Sequence, residues 1–478
     1  MVFSSLVFLY AFLPISMLFY TLAKTTPARN IVLLVFSLVF YAWGEPLYLL
    51  LLIGMSFFDW LFALQMRKGH RHLWLVLACL VNLSTLAVFK YLNFAADNVA
   101  LLFGATSPIP TIALPIGISF YTFQLLTYVI DVYRGEVLAQ PRFDKVLLYA
   151  SLFHQCVAGP IVRYADVENE LTTRRVDWAD LSEGIRRFCV GLGKKVILAN
   201  TCGQLADRLI AAGDGRITLA SVSAADGAAL WVSMLAYMLQ IYFDFAGYSD
   251  MAIGMGRMIG FHYRENFHYP YIARSVKDFW RRWHMSLSTF FRDYVYIPLG
   301  GSRCSLGRTL LNMLIVWALT GLWHGASWNF VLWGLWFFLF LAMEKLFLGK
   351  WLDRLPAVIG TVYTLAVVFF GWILFRFQNF EIMWTALCGL FGLTGNYWTS
   401  FETTTLIKNY AFFLPAAIVC CTPLFAALSK RWHLASGKSR LAATGWSVAQ
   451  LLWPLLLLLV STVMLVGDSY NPFLYFQF

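Results

Sequence analysis

Residues 277–326 read KDFWRRWHMSLSTFFRDYVYIPLGGSRCSLGRTLLNMLIVWALTGLWHGA. His284 closes a Trp-Arg-Arg-Trp-His run, and His324 sits between Gly321 and Gly325 after a long apolar segment. Neither position is where a lipid-facing helix would put a polar side chain. Outward from this stretch, in both directions, apolar runs near the length of a bilayer span recur. The fold class is therefore all-α and polytopic. A β-barrel would show short alternating segments instead.

Composition agrees. Of 478 residues, 60% are hydrophobic and 13% charged, against about 25% charged in a soluble domain. No soluble domain is expected, since the longest polar stretch, 163–185, is too short to bury a core. The net charge of +11 reads as Lys and Arg gathered in cytoplasmic loops and drawn to anionic lipid there. Nucleic acid is excluded as a partner, because no basic domain exists to carry it. The eight cysteines show no CxxC and no Cys/His pair at metal spacing. The opening MVFSSLVFLYAFLPISMLFY lacks a basic start and a small-residue cleavage site, so it reads as a retained first helix.

Apolar spans are expected at 3–22, 31–43, 47–64, 73–89, 112–135, 228–260, 327–348, 355–375, 382–393, 411–428 and 446–466. With 145–163 read as a short span or re-entrant segment, about eleven or twelve crossings result. Pro115 and Gly117 interrupt the helix at 112–135 near its start, which a membrane tolerates only where protein or a wet cavity re-satisfies the backbone. Asp131 and Arg134 are placed to pair. His154 reads as a buried, hydrogen-bonded structural histidine in preference to a functional one. The segment 191–209 is amphipathic, basic at its start, and expected to lie partly in the interface. The tail GDSYNPFLYFQF is expected outside the cytoplasm by the charge rule.

In 228–260, Gln240, Asp244 and Asp250 lie inside an apolar run. A central Asp in a span costs about 2.5–3.5 kcal/mol to insert, so such residues face a protein interior or a wet cavity. Asp244 and Tyr248 share one helix face. They either shape an active site or, in the plainer alternative, Asp244 is neutralised by an arginine of the basic stretch. Gly247 and Gly254 permit close helix packing.

Read as one helix over 279–292, the central stretch puts Trp280, Trp283, Leu287 and Phe291 on one face. Arg281, Ser288 and Arg292 fall beside them, and His284 lies on the border. Aromatic rings beside guanidinium groups suit a phosphate-bearing amphiphile, either coenzyme A or an anionic lipid head group. A buried His324 would be neutral, as a general base for a hydroxyl must be. No carboxylate follows at a fixed offset to orient it. No Gly-x-Ser-x-Gly elbow supplies a serine nucleophile, and no third ligand accompanies the two histidines to make a metal site.

The segments FWRRWHMSLSTFFRDYVYIPLGG (279–301) and GLWHGASWNFVLWG (321–334) resemble the membrane-bound O-acyltransferase family. YFDFAGYSDMAIGMG (242–256), LPIGISFYTFQLLTYVIDVYRG (114–135), the opening MVFSSLVFL and the closing NPFLYFQF resemble its bacterial polysaccharide branch, alginate O-acetyltransferases of the inner membrane above all. That branch also holds cellulose and peptidoglycan O-acetylation proteins and the D-alanyl transferase of teichoic acids.

The resemblance covers the whole chain, 1–478, as one integral-membrane domain with the motifs in 112–348. It implies transmembrane, re-entrant and interfacial helices around a central funnel or tunnel. It implies acyl transfer from a cytoplasmic thioester, acetyl-CoA as co-substrate with no bound cofactor, toward a polysaccharide outside. His324 matches the family histidine and His284 the second histidine of this branch. A periplasmic serine-hydrolase-like partner is implied, besides the polysaccharide acceptor and membrane lipid. In this reading Trp280, Trp283 and Trp323 line the passage, Arg281, Arg282 and Arg292 meet the donor, and Asp244 with Tyr248 positions helices or polarises a histidine. The rivals are a polysaccharide export channel and a non-catalytic scaffold for a periplasmic enzyme.

Overall fold

The computed structural model describes residues 1–107, 109–156, 159–468 and 470–472. Among them every regular element is a helix. Eight helices are long and apolar enough to cross a bilayer: Thr26–Gly44, Tyr48–Met66, Arg71–Leu102, Gly227–Met258, Leu306–His324, Trp328–Leu352, Ala357–Arg376 and Arg440–Gly467. The number becomes nine if Phe401–Asn409 and Phe413–Cys420, bent by 55°, count as one span.

This is fewer than the about eleven or twelve crossings expected from apolar runs, because apolarity reports burial as well as lipid contact. The helix Ile118–Arg134 is buried on nearly every face, the mark of a helix inside protein. It begins only after Gly117, at φ 75°, where the Pro-Gly interruption was read. Phe8–Leu22 and Phe380–Leu390 are apolar but short. The segment at 145–163 becomes Phe143–Ser151 and Phe153–Cys156, with 157–158 outside the described residues. Of the tail, 469 and 473–478 also lie outside them.

The chain forms two compact units, one of 1–188 with 248–265 and one of 189–247 with 266–478. The long helix Gly227–Met258 supplies residues to both.

The first unit is held by buried polar joints. Asn82 donates to both carboxylate oxygens of Asp59 at 2.9 and 2.8 Å, all fully buried. Arg174 donates to the Tyr20 hydroxyl, the Ile259 carbonyl and Asn30 Oδ1 at 3.0, 3.1 and 2.6 Å. Asp131 is held by Arg163 at 3.2 Å, and Arg134 lies 3.8 Å from Glu136. Asp250 pairs with Arg187 at 2.8 Å, so the arginine expected to neutralise an acid of this helix serves Asp250. Gly254 lets helices touch: a Cβ there would sit 2.7 Å from the Gly184 carbonyl oxygen.

In the second unit, a Cβ at Gly247 would meet the Gly191 carbonyl oxygen at 2.7 Å. The segment 191–209 packs largely inside the second unit. Helix Trp178–Gly193 passes through a π-helical turn, Lys194–Ala199, into Asn200–Arg208, and most residues from 191 to 209 are buried. Its basic start is drawn inward because Lys195 finds a carboxylate there: Nζ lies 2.7 Å from Asp244 Oδ1, with both side chains almost fully buried.

The single helix expected over 279–292 is also broken. Val276–Trp280 ends, and Met285–Phe291 begins only after His284, whose φ of 43° and ψ of 55° are left-handed. The cause lies elsewhere in the chain. The Arg282 carbonyl accepts from the His268 amide at 2.9 Å, and the Met285 amide donates to the Asn266 carbonyl at 3.0 Å. Backbone groups spent on 266–268 are not available to a continuous helix.

Candidate functional site

His284 owes its position to that break. A left-handed conformation is uncommon for a residue with a Cβ and is held only where the surroundings over-determine it. Here the side chain is tied down as well. Asn266 Oδ1 faces His284 Nδ1 at 3.2 Å and accepts from the Ser286 amide at 3.1 Å and the Ser286 hydroxyl at 2.9 Å. A backbone amide only donates, so the Asn266 atom is the oxygen and His284 Nδ1 must carry the hydrogen. The lone pair of the neutral ring is then on Nε2. His284 lies outside the eight spans, and burial, followed by the charge of His324, holds its pKa well below the ordinary histidine value.

His324 is the last residue of Leu306–His324, and its ring is caged by aromatics. Trp333, Trp323 and Phe375 approach at centroid distances of 4.8, 5.0 and 5.3 Å. Trp323 also approaches His284 at 5.9 Å, and Phe245 meets His284 edge-on at 4.6 Å. One indole thus approaches both imidazoles. The glycines flanking the pair admit Phe330: a Cβ at Gly321 would lie 2.4 Å from its carbonyl oxygen, and one at Gly325 2.3 Å from its ring.

Trp280 packs against Trp317, Phe337 and Trp333 at 4.8, 4.9 and 5.5 Å. Trp283 packs against Trp372 and Phe267 at 5.0 and 5.1 Å. The three tryptophans singled out in the sequence therefore join one aromatic wall around the histidines. The arginines do not join it. Arg281 is exposed, Arg282 pairs with Asp278 at 2.9 Å, and Arg292, 61% exposed, pairs with Asp293 at 2.7 Å. Asp244 faces Lys195, whose Nζ also donates to Asn200 Oδ1 at 2.9 Å and to the Pro472 carbonyl. Tyr248 belongs to the first unit and stacks on Phe3 at 4.3 Å.

Four further residues of this site were not singled out in the sequence. Asn266 and Phe375 are brought in by tertiary folding alone, and nothing in their local sequence marks them. Lys195 was visible only as part of a basic run. Trp333 lies within the stretch 321–334 that carries the family resemblance, but nothing there sets it apart. Among the described residues, no group of three or more His, Cys, Asp or Glu side chains could hold a metal ion.

Two buried imidazoles, mutually repulsive when charged, hold one proton more readily than two. Such a pair in an aromatic cage can take a proton from a hydroxyl and return it to a leaving group.

Comparison with known proteins bears on what reaction this serves. The sequence model of the membrane-bound O-acyltransferase family matches residues 135–358, which include both histidines. An Azotobacter vinelandii protein described as "Probable alginate O-acetylase AlgI" is 37% identical over 515 residues, covering all of both chains. A Pseudomonas aeruginosa protein of the same description is 36% identical over 531 residues, again covering all of both. A Helicobacter pylori "Peptidoglycan O-acetyltransferase" is 32% identical over 433 residues, covering 83% of this chain and 80% of its own.

Proposed function

We propose, since the chain belongs to the membrane-bound O-acyltransferase family, that this multi-pass membrane O-acyltransferase takes acetyl groups from acetyl-CoA at the inner membrane and delivers them for O-acetylation of exported alginate. The observation that carries the reading is the pair of buried imidazoles that both approach Trp323, one with its tautomer fixed by Asn266. Full-length likeness to proteins described as alginate O-acetylases supports the acceptor.

In this mechanism the acceptor hydroxyl gives its proton to His324 as its oxygen attacks the thioester carbonyl. The C–O bond forms, the C–S bond breaks, and the departing thiolate takes the proton back from the imidazolium. His284 stays neutral throughout, because a second charge beside protonated His324 is disfavoured. Its Nε2 lone pair accepts a hydrogen bond that orients the reacting group. Trp280, Trp283 and Trp323 exclude water, which would otherwise hydrolyse the thioester. Exposed Arg281 and Arg292, with Arg282, meet donor phosphates at the mouth. The acceptor hydroxyl is that of a periplasmic serine-hydrolase-like partner, and a polymer hydroxyl then attacks this acetyl ester, forming the polymer ester and releasing the partner's hydroxyl.

The test is label transfer. Full-length protein in liposomes is given labelled acetyl-CoA on one side, and partner and unacetylated alginate on the other. Acetyl ester on partner or polymer is expected. Transfer only from an aminoacyl carrier-protein thioester would overturn the donor, and label passing to peptidoglycan fragments but not alginate would overturn the acceptor.

A further inference from the structure

We infer that Glu344 is a positioning residue for acyl transfer: its carboxylate fixes where the segment bearing His284 lies against the helix that meets His324. The inference rests on the two-histidine mechanism above. Every residue concerned belongs to the unit of 189–247 and 266–478.

Glu344 stands in the apolar span Trp328–Leu352 and is only 8% exposed. Acidic side chains inside a span are rare and face protein or a wet cavity. A buried carboxylate is costly unless its oxygens accept hydrogen bonds, and both oxygens of Glu344 do. Oε1 accepts from the Val276 amide at 2.6 Å and Oε2 from the Lys277 amide at 3.0 Å. These two amides open the helix Val276–Trp280. The Asp278 amide donates to the Ser275 hydroxyl at 3.0 Å, and the Phe279 amide to the Ser275 carbonyl at 2.9 Å. The first amides of a helix have no partner within it. Here each is met, two of them by a side chain from another helix.

The helix that carries Glu344 also reaches the histidines. Trp333, Phe337 and Glu344 are spaced i, i+4 and i+11, which puts them on one face. Trp333 lies 4.8 Å from His324, and Trp333 and Phe337 lie 5.5 and 4.9 Å from Trp280. Trp280 ends the short helix, and His284 follows four residues later. One helix face therefore meets His324 through a ring and holds the His284 segment through a carboxylate.

The carboxylate does what the rings do not. A helix as short as Val276–Trp280 has little stability of its own, so its place is set from outside. Apolar packing is non-directional and lets surfaces slide. Hydrogen bonds to two successive amides fix rotation and register together. Asn266 sets the His284 ring within its own loop. Glu344 sets the segment before it against the helix of Trp333.

The test compares full-length wild type with Glu344→Gln and Glu344→Asp in liposomes. Glutamine keeps the shape but turns an N–H donor toward a backbone amide, whereas aspartate keeps both acceptors on a shorter arm. Glu344→Gln is expected to lower kcat for acetyl transfer on the order of tenfold, with KM for acetyl-CoA unchanged. Glu344→Asp should fall between it and wild type, so the result does not hang on one variant's folding. Asp226 is the matched control, since its carboxylate also accepts from two backbone amides, Ala229 and Ser400, at 2.8 Å each. Asp226→Asn should lower the thermal midpoint as Glu344→Gln does, yet keep its kcat. A second readout does not use the donor. Diethyl pyrocarbonate acylates neutral imidazole, and peptide masses show which histidine has reacted. His284 should react about fivefold faster or more in Glu344→Gln than in wild type or Asp226→Asn, as one lost hydrogen bond implies. Wild-type kcat in Glu344→Gln, an equal loss in Asp226→Asn, or a His284 no more reactive in Glu344→Gln overturns the positioning role. Wild type that draws nothing from acetyl-CoA removes the donor instead, and the labelling of His284 still decides for or against Glu344.

Discussion

His154 in the first unit and the pair His284 and His324 in the second are all buried, yet their settings differ. His154 sits in a short helix with Nε2 2.5 Å from the Tyr263 hydroxyl, and burial followed by the charge of Arg174 lowers its pKa to about 3. Its Nδ1 is buried with no hydrogen-bond partner among the described residues. His284 is held in a left-handed backbone, with an acceptor fixed on one ring nitrogen. His324 ends a helix inside an aromatic cage. Burial alone therefore does not mark a reactive histidine. What distinguishes the second unit is that two imidazoles approach one indole there, one of them held in a left-handed backbone.

The same contrast can be tested by breaking supports. The largest stability effect should come from the Lys195–Asp244 pair, buried at 2% and 3%. Removing either partner alone, as in Lys195→Met or Asp244→Leu, strands a buried charge and should cost about 3–5 kcal/mol. The double variant should recover much of it, measured as thermal midpoints in one detergent. Singles and double that lose equal stability would show that the pair is not coupled.

A smaller effect, on turnover, is expected at Asn266. Asn266→Ala frees the His284 tautomer and should lower kcat on the order of tenfold, about one hydrogen bond's worth, with little change in the thermal midpoint. Wild-type kcat should be flat from about pH 6.5 upward, because His284 stays neutral there. Asn266→Asp puts a carboxylate against Nδ1–H, favours the protonated ring, and should move the acidic limb to higher pH. An unmoved limb would mean that Asn266 does not act through His284.

The smallest effect belongs to exposed His262 in the first unit. Burial pulls its pKa down, but Glu170 at 2.9 Å and Asp180 at 3.4 Å pull it up further, and the net shift is upward. A raised pKa gives stability that is full below the unfolded value of about 6.5 and fades as pH rises through the folded one. The side chain is half exposed, so screening should keep this well under about 1 kcal/mol. The difference in thermal midpoint between wild type and His262→Gln should shrink from pH 5 to 9. A difference that grows would reverse the sign.

Much of this site was legible because its rings are close in sequence. Trp280, Trp283, His284, Trp323 and His324 could be named without coordinates, and so could the glycines that admit Phe330. What could not be read is whatever the fold brings from afar. Asn266 and Phe375 meet the histidines, and Lys195 meets Asp244, through tertiary contacts that no local pattern encodes. The helix-face argument over 279–292 failed because 266–268 captures backbone groups on both sides of His284. Fewer helices than expected are long and apolar enough to cross by themselves, and a helix such as Ile118–Arg134 is enclosed in protein.

The central claim, that the second unit's histidines react while the first unit's histidine only supports, is tested most directly by single-turnover acetyl transfer from labelled acetyl-CoA in His324→Ala and His154→Phe, beside wild type and with thermal midpoints recorded. His324→Ala should lose about 10²–10⁴-fold in rate at a nearly unchanged midpoint. His154→Phe, which strands the Tyr263 hydroxyl, should lose about 1–3 kcal/mol of stability and keep its rate once folded. A His324→Ala protein that transfers acetyl at the wild-type rate, or a folded His154→Phe protein that does not transfer it, would contradict the account.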